Sequence, residues 1–194
     1  MSRSNNLPFP IGSTYADGQT VYSTSAPNLE GKIYRADGNP SSDSGQEVRE
    51  YMVVRNSSGG ALAGPTLGQR GLRFGVTAGW WNRKIRGYAL AQNDYGVIPD
   101  DALTTSVPAN DLFYVHVRGP AKAQVASKST GAVTFTAGKP VFFGRTGGLL
   151  LMLASGVTAE RHPIGSVVEA ITSGTTGNRM TTVMVGGLMQ SASG

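Results

Sequence analysis

The 194-residue chain has no cysteine and only two histidines, His116 and His162. Neither a disulfide framework nor a thiolate metal site is available to it, and its redox compartment stays open. The histidines lie in different segments, so no metal site and no cofactor are expected. Charged residues make up only 15% of the chain, while glycine supplies 27 positions. That composition is poor in helix formers and rich in turn formers, which favours β structure. No apolar run approaches the roughly 20 residues that span a bilayer. The first residues carry neither a basic start nor a hydrophobic signal core. A soluble, unprocessed protein with no membrane partner is the expectation.

Catalytic signatures are also missing. Gly138-Lys139-Pro140 does not make a phosphate-binding loop, because proline follows the lysine and Val133 stands where the upstream glycine is needed. No Gly-x-Ser-x-Gly elbow occurs. Asp100 and Asp101 are the one adjacent carboxylate pair, but they follow Pro99 and read as a solvated turn. His116 falls opposite the Val115 face of a strand and reads as a surface or edge residue, and His162 precedes Pro163 in a turn. No enzyme is expected.

Short alternating segments are what the chain does have. Val133 and Phe135 fall on one face of Gly131–Thr136, with Thr134 and Thr136 on the other, the period of a half-buried strand. Similar segments occur at Val48–Arg55, Gly71–Gly75, Ile85–Leu90, Leu112–Arg118, Val141–Phe143, Ile164–Ile171 and Met180–Val185, each bounded by turn residues. The run Gly148–Leu153 fits a strand or a buried helical turn equally. Many short strands at regular spacing predict a mainly β fold, a sandwich or small barrel.

A weak internal repeat accompanies this pattern. Ser58–Leu62 matches Thr130–Val133, Arg86–Ala91 matches Ile164–Ala170, and Phe113–Gly119 matches Thr181–Gly186, in the same order but with unequal spacing between the second and third matches. The repeat predicts one barrel assembled from two similar β units. Residues 1–47 stand apart from it. Their apolar residues come singly between Ser, Asn, Gly and Pro, too few to offset the entropy of ordering. They read as a disordered tail or, the favoured reading, as an extended N-terminal arm whose isolated Phe9, Tyr15, Tyr22 and Tyr34 anchor it on a partner, with 48–194 as the folded domain.

The charge is uneven. Between Arg49 and Leu90 seven basic residues face Glu50 alone, within an overall net charge of +5. Trp80 and Trp81 sit beside Arg83, Lys84 and Arg86, and neighbouring tryptophans on a strand point to opposite sides, so one is left for an edge or interface. This stretch reads as a solvated loop surface beside a buried tryptophan, or as a patch that meets an acidic protein surface or, as the alternative, stacks bases and contacts phosphates. Nucleic acid is the less favoured partner.

These features together resemble the small capsid decoration, or cement, proteins of tailed bacteriophages. The resemblance covers about residues 48–190. It rests on Gly59-Gly-Ala-Leu62, Asn110–Pro120, Ala137–Phe143, Ile164–Ala170 and Thr182–Val185. It implies a small β-barrel of the β-tulip type on the outer capsid surface of the virion, made in the host cytoplasm. It also implies a structural protein that bridges neighbouring major capsid protein subunits for capsid stabilisation, as a homotrimer at three-fold or quasi-three-fold positions. Phe9, Tyr15, Tyr22, Tyr34, Trp80, Trp81, Arg83 and Arg86 are then the capsid- or partner-binding residues.

Overall fold

Alternating apolar residues separated by glycine-rich turns give strands throughout the computed structural model. It describes residues 7–16, 29–37, 48–62, 71–74, 84–88, 96–125, 133–143, 150–151, 163–173 and 179–186. Among these there are twelve strands and no helix. In chain order they are β1 (Ile33–Asp37), β2 (Val48–Asn56), β3 (Leu72–Phe74), β4 (Lys84–Tyr88), β5 (Gly96–Pro99) and β6 (Leu112–Val125). There follow β7 (Val133–Phe135), β8 (Pro140–Phe143), β9 (Leu150–Leu151), β10 (Gly165–Val167), β11 (Ile171–Ser173) and β12 (Arg179–Gly186). The expected mainly β class is the observed one, and the ambiguous run at 149–153 contributes a strand.

Ten strands form one hydrogen-bonded sheet, and β7 pairs with β11 in a second. In the large sheet the pairing runs β2-β4-β3-β5-β6 and returns through β2–β6; it continues β6-β12-β10-β8-β9 and returns through β6–β9. Two rings of pairing therefore share the 14-residue β6. Each ring has one parallel pair, β2–β4 or β6–β9, and is otherwise antiparallel.

The register shows the same unit built twice. Asn56 pairs in parallel with Ile85, which pairs with Phe74; Val125 pairs in parallel with Leu150, which pairs with Phe143. Met52 opposes Val115 as Ala121 opposes Val183, and Leu72 opposes Val97 as Val141 opposes Gly165. Outside the rings, the bridge Leu62–Val107 corresponds to the β7–β11 pair. One match in the sequence repeat is corrected by this register. The partner of the segment at Gly165 is β5 around Val97, not Arg86–Ala91, and with that change the spacing to Val115 and Val183 becomes equal. The short β5, ending in Pro99-Asp-Asp, carries too little periodicity to stand out in the sequence.

Each unit has its own core. Met52, Val54, Leu72, Ile85, Phe113 and Val115 are among the buried residues of the first, and Ala121, Ala123, Phe135, Val141, Val167 and Val183 among those of the second. Each such side chain larger than alanine contributes roughly 1.5–3 kcal/mol on burial. β6 feeds both cores along its 14 residues: Phe113, Val115 and Val117, before Gly119, lie in the first, and Ala121 and Ala123, after it, in the second. Gly119 has φ +98°, and a Cβ there would meet the Val48 carbonyl oxygen at 2.5 Å. Only glycine fits. Proline removes a ladder donor and usually ends a strand, which is why the sequence pattern stops at Arg118 while the strand runs on to Val125. The expected segment 164–171 is likewise divided, into β10 and β11, by the bend at Val168–Ala170.

The described residues of the N-terminal segment, 7–16 and 29–37, pack on the chain's own first unit, where an arm anchored on a partner was expected. β1 pairs with β2 over its whole length, from Ile33↔Met52 to Asp37↔Val48. Phe9 and Ala36 are buried in a third cluster with Tyr51, Val53, Leu112 and Tyr114, and Leu7, Ile11, Tyr15, Leu29 and Tyr34 pack against it. The described parts of the segment lack a core of their own because they complete the outer side of the first unit.

Candidate functional site

On β6, Phe113, Val115 and Val117 point into the first unit, so Tyr114 and His116 face outward by the two-residue period. An uncovered sheet would leave them in water. Here residues 7–16 and β1 lie over them. The Phe9 and Tyr114 rings stack at 4.3 Å, the Tyr114 hydroxyl donates to the Phe9 carbonyl at 2.8 Å, and the Tyr15 amide donates to the Leu112 carbonyl at 2.8 Å. Burial pushes the Tyr51 phenol up to about 12, against the lowering influence of Arg49. It raises Tyr114 as well, against its bond to the Phe9 backbone.

Below this cover, Asp100, Asp101 and His116 bring their oxygen and nitrogen atoms within 4.8 Å of one another. The pairing Ile98↔His116 sets the Asp-Asp end of β5 beside the imidazole. Asp100 is buried; its Oδ2 accepts from the Gly12 amide at 2.5 Å and its Oδ1 from the Ala102 amide at 3.0 Å. Gly12 can approach so closely because it has φ +84° and no side chain, since a Cβ would meet the Ala102 carbonyl. Asp101, 12% exposed, accepts from the Lys122 amide at 3.3 Å and lies 3.4 Å from Arg49 Nη1. His116 is 1% exposed, its Nε2 is 3.7 Å from Asp101 Oδ1, and neither ring nitrogen has a hydrogen-bond partner. That separation is too long for a hydrogen bond.

The electrostatics divide the two carboxylates. Burial raises Asp100, only partly countered by the Ala102 and Gly12 amides. Burial also works to raise Asp101, but His116, Arg49 and the Lys122 amide together outweigh it and hold its carboxyl below the ordinary value. Beside Asp101 opens a pocket of about 400 Å³, lined also by Lys122, Glu169, Ile171 and Thr182.

Two expectations are corrected here. Asp100 and Asp101 are not a solvated turn, and His116 is neither a surface nor an edge residue. The physical reason is the same for both. Periodicity records one buried face per strand, and the second is buried only by residues distant in the chain, at Gly12 and along β1.

Four of the residues expected to bind a partner lie among the described ones, and three of them gather on a single cluster of the chain's own. Phe9 is buried inside its own chain, and Tyr15 and Tyr34 are half-buried against the same cluster. Arg86 is exposed, with Nη1 donating to the Ser57 carbonyl at 3.3 Å. Tyr22, Trp80, Trp81 and Arg83 lie outside the described residues. Phe9 is thereby unavailable as an anchor on a partner, because its area is already used at home. Comparison with family models and with curated proteins finds no match to this chain.

Proposed function

We propose that the chain is a structural binding module that sits on the outside of an assembled phage capsid and bridges neighbouring major capsid protein subunits. One observation carries the reading beyond the sequence resemblance. Among the described residues, the outer face of the second unit is bare where that of the first is covered: Val168 is 42% exposed and Met184 44%, with exposed Lys122 between β12 and the Asp101 side. Exposed apolar groups rimmed by charge suit a protein partner. A ligand that binds only the assembled shell stabilises it by mass action, and the module needs no bond-making step for that. Three copies at a three-fold position would present the same face to each of three neighbours.

Co-sedimentation with capsid shells and, separately, with duplex DNA tests the proposal. Binding to shells that weakens in Met184→Asp and Val168→Asp supports it. Binding to DNA alone, lost on charge reversal at Arg83 and Arg86, replaces it with the nucleic-acid reading. Shell binding unchanged by the Met184 and Val168 substitutions removes this face from the interface.

A further inference from the structure

We propose that Asp100, Asp101 and His116 form a divalent-cation site, for Zn²⁺ or a first-row ion of similar preference, that fastens residues 7–16 to the first unit. The inference goes beyond the capsid-binding reading and does not depend on it.

Geometry is the first support. Two ligands on a tetrahedral ion with bonds of about 2.0–2.2 Å lie roughly 3.3–3.6 Å apart. The Nε2–Oδ1 separation of 3.7 Å between His116 and Asp101 is close to that and too long for a hydrogen bond, and the Asp100 oxygen falls within the same 4.8 Å. The second support is His116 itself. A buried imidazole with both nitrogens unpartnered is costly and calls for a ligand. Its Nε2 points to the carboxylates, and neutral imidazole is the form that binds metal.

Donor chemistry narrows the ion. One imidazole nitrogen with two carboxylate oxygens suits Zn²⁺, whereas Ca²⁺ takes six to eight oxygens and Mg²⁺ prefers an octahedral shell with several waters. The oxygens of Asp100 hold backbone amides from Gly12 and Ala102. Each carboxylate oxygen has a second lone pair for the ion. Two carboxylates and a neutral imidazole balance a double positive charge, so the ion relieves the repulsion between buried Asp100 and the adjacent, partly exposed Asp101. Arg49, at the outer side of Asp101, is the competing cation and sets how tightly the ion is held. The pocket beside Asp101 provides the way in. Since Asp100 also holds the Gly12 amide, an ion that fixes Asp100 fixes the covering segment.

The corresponding positions of the second unit make an internal control. The Asp100 amide donates to the Tyr114 carbonyl as the Val168 amide donates to the Thr182 carbonyl. Val168, Glu169 and Met184 therefore stand where Asp100, Asp101 and His116 do. That set offers a single carboxylate and no imidazole.

Calorimetric titration of the chelator-treated full chain with Zn²⁺ tests the site, with melting temperature as a second readout. One equivalent should bind and raise the melting temperature. His116→Met copies the residue the second unit carries at that position. It should weaken binding by more than the roughly 10–100-fold that loss of an outer partner costs. Asp101→Asn, at a partly exposed position, should do the same and decides the matter if His116→Met does not fold. His162→Asn should leave binding unchanged. Absence of saturable binding tighter than about 1 mM, or binding that survives Asp101→Asn, or binding that is lost with His162→Asn, overturns the proposal.

Discussion

The hairpin of β5 and the first half of β6 and the hairpin of β10 and β12 have the same register, yet their outer faces have opposite fates. In the first, Asp100, Tyr114 and His116 are buried; in the second, Val168 and Met184 are exposed. Polar groups lie under cover and apolar groups face water, the reverse of what burial by residue type gives. The difference teaches that the ring core and the outer surface are separate problems. The ring side of each hairpin is set by local alternation, and the outer side by what else in the chain lies over it. Residues 7–16 and β1 cover one unit only, and under that cover a polar cluster is held by Gly12, Arg49 and Lys122.

If β6 couples the units, the largest effect comes from Gly119, between its two halves. Gly119→Ala forces a strained φ on a residue with a side chain and drives its Cβ against the Val48 carbonyl. The expected loss is about 4 kcal/mol, from strain and overpacking together. Denaturant unfolding should keep one transition, moved to lower concentration. Two separated transitions would mean that the rings fold independently and that the shared strand does not join them.

The asymmetry of cover is sharpened by a matched pair. Phe9→Ala removes the ring stacked on Tyr114 and should cost about 3 kcal/mol. Met184→Ala, on the bare face, should stay within about 0.5 kcal/mol. Equal losses in chemical denaturation would show that the two faces are not different in kind.

A smaller effect is expected from the carboxylate held low. The folded state favours ionised Asp101, so its contribution is complete above the ordinary aspartate value and fades as pH falls through the lower folded value. Asp101→Asn should cost about 2 kcal/mol near neutral pH, the scale of a hydrogen bond to a charged group, and should flatten the acid side of a melting-temperature profile. A variant with an unchanged acid limb would show that its partners do not act on Asp101.

Several elements were readable because their information is local. β2, β3, β4, β8 and β12 follow from alternation between turn residues, and the start of β6 from Leu112, Phe113 and Val115. Even the duplication was visible, though Arg86–Ala91 was matched in place of β5, whose four residues carry no period of their own. The cluster at His116 was not readable. Its members are placed by strand register and then closed over from Gly12, and neither relation leaves a trace in sequence spacing.

By itself, then, the sequence determined that this protein is mainly β and built from repeated short strands. Backbone alternation and turn chemistry act over a few residues, so they survive in the order of the amino acids. Only the tertiary structure decided that β6 runs on through Gly119 to serve both rings. It alone decided that Phe9 belongs to the protein's own packing and that Asp100, Asp101 and His116 meet out of water. Those outcomes depend on which distant surfaces exclude solvent from one another, and solvent exclusion is a property of the folded chain.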